Sequence, residues 1–101
     1  MNKKKPYYIF QNDNYQQVRG RCCKIKGFEE YDFFLHYVRT SRSWVISEGK
    51  TGLVVGSAHR RSMAEVMEMV KNLLDNRGKG SLDNAIESGI KHYGLSPRYG
   101  E

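Results

Sequence analysis

At 101 residues, with 39% apolar and 28% charged side chains, the chain is sized for one domain around a small core. This excludes a multidomain enzyme and leaves little structure for a deep catalytic cleft. Residues 1–61 hold twelve Lys/Arg against five Asp/Glu, whereas residues 62–101 hold five against six, so the net charge of +6 sits in the first three fifths and favours phosphate backbones or acidic partners.

The basic tail at residues 1–6 is followed by no apolar leader, and no segment approaches the roughly 18 apolar residues of a membrane span, so a cytoplasmic protein with no membrane partner is expected. Tyr7-Tyr8-Ile9-Phe10 is rich in strand formers and runs into Gln11-Asn12-Asp13-Asn14, which tolerates a turn. That pattern predicts a hairpin whose return segment, Tyr15 to Lys26, is interrupted by Gly20 at a bend or bulge and ends with Cys23 and Ile25 alternating against Lys24 and Lys26. Cys22 and Cys23 are adjacent and point to opposite faces of an extended segment, where a disulfide between them is strained; they are expected as thiols in a reducing compartment. His36, His59 and His92 match no zinc spacing, so neither metal nor cofactor is expected.

After Gly27 and the acidic residues Glu29, Glu30 and Asp32, the run Phe33–Val38 reads as the central strand. Polar turns at Thr40–Ser43 and Gly49–Gly52 lead into strands at Trp44–Glu48 and Leu53–Val55. Gly49-Lys50-Thr51-Gly52 lacks the earlier glycine of a phosphate-binding loop, where Trp44 stands instead, and reads as a hairpin turn. Strand parity puts Phe33, Leu35 and Tyr37 with Trp44 and Ile46 on the core face. The opposite face, Phe34, His36 and Val38 beside Val45 and Ser47, is too apolar to be wet throughout and calls for a cover, either the chain's own second helix or a partner.

From Ser62 the period changes to that of a helix, with Met63, Val66, Met67, Val70, Leu73 and Leu74 on one stripe. Ser62 and Glu65 have the capping-box form, and Gly78 suits a C-terminal stop. A second helix is expected from the Ser81 cap through Leu82, Ala85, Ile86, Ile90 and Tyr93 to Gly94 and Pro97, with Gly89 weakening its interior. The sum is one α+β domain: an antiparallel sheet of about five strands over residues 7–56, then helices at 62–77 and 81–93, the first packed on the sheet.

No serine or cysteine stands in a pattern with histidine and carboxylate that points to catalysis, so no catalytic residue is assigned and no enzyme is expected. The functional signal is basic residues among aromatics and turns. Arg19, Arg21, Lys24 and Lys26 lie along one strand and its lead-in, Arg39 and Arg42 flank a turn, Lys50 tips the next, and His59-Arg60-Arg61 precedes the Ser62 cap. The candidate set for nucleic acid or another anionic partner is Lys24, Lys26, Arg39, Arg42, Lys50, His59, Arg60 and Arg61. Arg60 and Arg61 are expected to be strongest, because guanidiniums at a helix N-terminus add to its dipole and amide donors, with Gly56-Ser57-Ala58 as an approachable loop. The alternative is a protein-contact surface on Phe34, His36 and Val45.

Two resemblances bear on function. Residues 33–76, in their order of strands, basic loop and helix, resemble in outline the second half of a double-stranded-RNA-binding domain, in which basic residues at the last helix touch phosphates. Arg19-Gly20-Arg21, Lys24-Ile25-Lys26-Gly27-Phe28-Glu29, Phe34 to His36, Trp44–Glu48 with Thr51-Gly52, and Tyr93-Gly94-Leu95-Ser96-Pro97 resemble small proteins of prophages and other mobile elements. That resemblance implies a non-enzymatic module working on nucleic acid or a nucleoprotein complex, and alternatively an anti-CRISPR type inhibitor that contacts a host defence protein in the host cytoplasm.

Overall fold

The computed structural model describes residues 4–99 and is an α+β fold: a five-stranded antiparallel sheet followed by a C-terminal helix. The strands are β1 (Lys5–Gln11), β2 (Asn14–Cys23), β3 (Phe33–Val38), β4 (Ser43–Glu48) and β5 (Val54–His59), paired in sequence order as a meander. Met1–Lys3 of the basic tail lie outside the described residues; Lys5 and Pro6 already belong to β1.

Asn12 and Asp13, at φ 55 and 60, link β1 to β2 in a two-residue turn closed by the Gln11↔Asn14 pair. Positive φ at both central positions is what a type I′ turn requires, and short polar side chains tolerate it. The strand ends at Cys23, before the alternation does. Ile25 is buried and Lys24 and Lys26 are exposed as expected, but these residues lie in the loop leading to β3, where Phe28 N–H donates to the Ile25 carbonyl at 2.8 Å. At the other side of the sheet, β5 takes in Gly56-Ser57-Ala58, expected as a loop; these residues pair with Ile46, Val45 and Trp44.

The helix α1 (Met63–Tyr93) corrects the expectation of two helices. It is one helical element with a single break at Gly78, whose φ of 82 and ψ of 166 are open to glycine. One residue turns the axis, so Ser81 lies within the helix and no intervening loop is needed. The Ser62–Glu65 capping box forms at the N-terminus, and Gly94 N–H donates to the Ile90 carbonyl at the C-terminus. Gly89 is buried where the second half of α1 meets the β4–β5 turn: a Cβ there would lie 2.9 Å from Thr51 Cγ2.

Phe33, Leu35 and Ile46 form the core with Val66, Val70 and Leu74, together with Cys23, Ile25 and Phe28. Trp44 packs at its edge. Tyr37 does not belong to it. The helix lies over β4 and β5, leaving that end of β3 uncovered, and Tyr37 is 46% exposed.

Close approach of α1 to β5 depends on Gly56, where a Cβ would come within 2.7 Å of Val70 Cγ2. Gly56→Ala is expected to cost roughly 1–3 kcal/mol by overpacking, and Val70→Ala alone a similar amount by cavity formation. Because the added and removed carbons compete for one space, the double variant should be more stable than the sum of the two effects implies. Urea melts of the four species measure this coupling, which vanishes if helix and strand are not in contact.

The second sheet face is covered by the chain itself. The β1–β2 hairpin crosses it, stacking Tyr7 on Phe34 with ring centroids 4.4 Å apart, while Phe10 N–H donates to the Gly52 carbonyl at 3.1 Å. The segment after α1 then straps the hairpin down: Arg98 lies 4.3 Å over the Tyr7 ring and donates to the Pro6 carbonyl, Ser96 N–H donates to the Lys50 carbonyl, and Tyr99 hydroxyl donates to Asp32.

Candidate functional site

β2 belongs to two ladders in succession. Asn14–Gly20 pair with β1, whereas Arg21, Cys22 and Cys23 pair with β3, and the β2/β3 ladder stops at Arg21↔Leu35. Beyond it β3 continues to Val38 against β4 only, so the two strands diverge into a fork. Gly20 stands at the branch, where a Cβ would meet Phe34, the Leu35 carbonyl and Tyr7 at 3.1–3.2 Å. A larger residue would push the hairpin away from β3.

The fork opens into a cleft of about 370 Å³ lined by Lys4, Arg19, Arg21 and Arg39 with His36, Tyr37 and Trp44. Among the described residues no carboxylate lines it. The four ion pairs among the described residues, Arg61–Glu65, Lys71–Asp75, Lys79–Glu30 and Arg98–Asp32, involve none of its cations. Arg21 Nε is buried without a hydrogen-bond partner among the described residues, and His36 Nε2 is likewise unpartnered on the opposite sheet face, where its ring lies 5.6 Å from that of Phe34. A concentration of like charge opposes folding, and an anion in the cleft relieves it.

The candidate residues divide between the two ends of the sheet. Arg39, Arg42, His59, Arg60 and Arg61 gather at the end that holds the fork: Ser43 pairs with His59, Arg60 N–H donates to the Arg42 carbonyl at 2.8 Å, and the His59 ring is hydrogen-bonded to the Ser41 carbonyl. Lys24, Lys26 and Lys50 lie at the opposite end. Lys24 Nζ donates to the Glu29 carbonyl, and Lys50 borders a cleft with Glu30, Asp32, Glu48, Asp83 and Glu87. The acidic neighbours of Lys50 dilute the field that it was expected to contribute.

The helix N-terminus is not open to a ligand in the way its sequence suggests. Ser62 Oγ accepts from Glu65 N–H at 3.1 Å, Glu65 Oε1 accepts from Ser62 N–H at 2.9 Å, and Arg61 reaches the same carboxylate at 3.7 Å. These contacts, the Ser62 amide first, hold the Glu65 carboxyl below its ordinary range. Arg60 and Arg61 are therefore exposed charges beside an internally satisfied cap. The alternative surface is also displaced, since Phe34 is fully buried, His36 is 4% exposed and Val45 7%. Phe34 presents no contact area and Val45 very little, and the hairpin and C-terminal strap, not a partner, cover Phe34.

No protein-family model, curated protein or solved structure matches the chain.

Of the residues that line the fork, Arg39 belongs to the predicted basic set, His36 to the predicted alternative surface, and Arg19 and Arg21 to the basic run noted along their strand. Lys4 had no distinguishing signal, because its position depends on β1 folding back beside Arg19. The cysteines are thiols: Cys23 is buried in the core, and burial followed by its neighbour Cys22 pushes it up to about 11. Among the described residues no group of three His, Cys, Asp or Glu is arranged to hold a metal, and no helix is long and apolar enough to cross a membrane.

Burial pushes the His36 imidazole below its ordinary value of 6.5. The unfolded chain then takes up this proton more readily than the native one, so the contribution of His36 to stability is intact above 6.5 and is lost as pH falls from there through the lowered native value. His36→Gln should flatten this part of the stability profile as pH falls below 6.5. Parallel urea melts check it, and an unchanged pH slope contradicts the burial argument.

Proposed function

We propose that this protein is a non-enzymatic module that binds nucleic acid, bare or within a nucleoprotein complex, through the basic end of its sheet. The observation that supports the reading is the fork: four cations lining one cleft, with no carboxylate lining it and no ion pair to quench them among the described residues. Arg42, His59, Arg60 and Arg61 extend the positive field past the cleft along the β3–β4 turn and the entry to α1. Guanidiniums spaced in this way suit a run of phosphates, each met by forked N–H donors. The resemblance to small proteins of prophages and mobile elements agrees with a partner of this kind.

Binding of a labelled oligonucleotide, followed by anisotropy, should weaken steeply as salt rises from about 50 to 200 mM. Alanine at Lys24 and Lys26 should leave the isotherm where it is, because both lie at the far end. Absence of binding to any DNA or RNA at the low-salt limit overturns the proposal.

A further inference from the structure

The fork carries more than charge. Tyr37 stands in the same cleft as the four cations, nearly half exposed, in a strand whose alternation would have buried it. Its ring lies 5.1 Å from that of Trp44, which lines the cleft and packs on the core from its other side. An aromatic surface held by a second ring, beside arginines with no acidic partner among the described residues, is the pairing of elements that recognises a nucleotide: a flat ring for a base and forked donors for its phosphate.

The cleft is recessed between two diverging strands, and its volume of about 370 Å³ falls at the small end of the range usual for small ligands, roughly 300–1,000 Å³. In a duplex the base faces are stacked on one another and the phosphates lie on a convex surface. Neither reaches a recessed ring without unpairing.

We infer that the β2/β3 fork is a site for single-stranded nucleic acid, with a backbone phosphate held among Lys4, Arg19, Arg21 and Arg39 and the adjoining base stacked on Tyr37. The inference rests on the proposed nucleic-acid function and specifies the form that is bound. Sequence tolerance follows, since every base offers a face to the ring.

The test uses the full chain, with an oligothymidylate of about 12 nucleotides and a duplex of equal length. Trp44 is the only tryptophan, so its emission reports the cleft directly. The single strand should quench it and bind more tightly than the duplex by on the order of tenfold, and Tyr37→Ala should remove most of that preference. Tyr37→Phe should keep it. Both variants alter an exposed position, and thermal melts establish that they fold. Equal binding of the two forms with Tyr37→Ala unchanged overturns this inference and leaves the proposed function standing. Failure of both nucleic acids to bind the wild-type protein overturns the two together.

Discussion

Phe34→Ala is expected to destabilise the protein by about 3–5 kcal/mol, a large part of the roughly 5–15 kcal/mol available to a domain of this size. Phe34 is fully buried between the sheet to which it belongs and the β1–β2 hairpin that crosses it. Tyr7 stacks on it with an interplanar angle of 11°, and Arg98 lies on the far face of Tyr7, making a stack of three side chains from three separate segments. Deleting the middle of an aliphatic core lets neighbours relax inward. Here the hairpin is held at Gly20, at the Phe10–Gly52 hydrogen bond and at the Arg98–Pro6 contact, so the space left by the ring cannot close without breaking one of them. Phe34→Leu should cost less, about 1–2 kcal/mol, because most of the volume remains. Chemical denaturation gives both values. If Phe34 were a partner-contact residue, the alanine variant would melt like the wild type and lose only binding; that outcome removes the packing assignment.

The same residue shows where local pattern stops being informative. Alternation along Phe33–Val38 correctly divides the strand into two faces, and the apolar second face correctly demands a cover. What covers it depends on a hairpin tens of residues earlier and a strap at the chain's end, and non-local packing leaves no periodic trace. Punctuation was legible wherever chemistry is local: the Asn12-Asp13 turn, the Ser62–Glu65 box and the Gly94 stop each satisfy their own backbone groups within a few residues. Gly78 was read as a stop because a positive φ ends a helix in isolation, yet Leu82, Ile86 and Ile90 still pack at least half-buried, so the helix resumes at once. Tyr37 was misplaced for the converse reason. Parity states which side of the sheet a residue faces, not whether the helix reaches that far, and α1 does not cover the end of β3.

The candidate site was legible in type but not in grouping. Counting charge along the chain treats Lys24 and Arg21 as neighbours on one strand, but β2 ends between them, sending Arg21 to the fork and Lys24 to the loop beside Glu29. Arg39 sits far from Arg19 in sequence and shares its cleft. The fork exists because β2 changes partner at Gly20 and Arg21, and Gly20 was the one sequence signal of that event.

Reversing Arg19 and Arg39 to glutamate is therefore expected to have the largest effect on binding. Both are exposed, neither has an ion pair among the described residues, and they reach the cleft from β2 and from the β3–β4 turn, so the fold should survive, with a melting temperature no lower than that of the wild type. If each of the four cations neutralises one phosphate of a single strand, the slope of log affinity against log salt is about −3, and affinity falls roughly 50-fold between about 50 and 200 mM salt. Replacing two cations by alanine should halve that slope and weaken binding by on the order of 10- to 100-fold at the low-salt end. The double glutamate should do more than remove contacts. It places two carboxylates beside Arg21 and Lys4, which then pair within the cleft instead of with phosphate, and the remaining salt dependence should approach zero. The same reversal at Lys24 and Lys26 changes the net charge of the protein equally, from +6 to +2, while leaving the fork intact. If binding followed net charge alone, the two reversals would be equivalent; a fork that holds the phosphates predicts that only the Arg19/Arg39 pair abolishes the salt-dependent component.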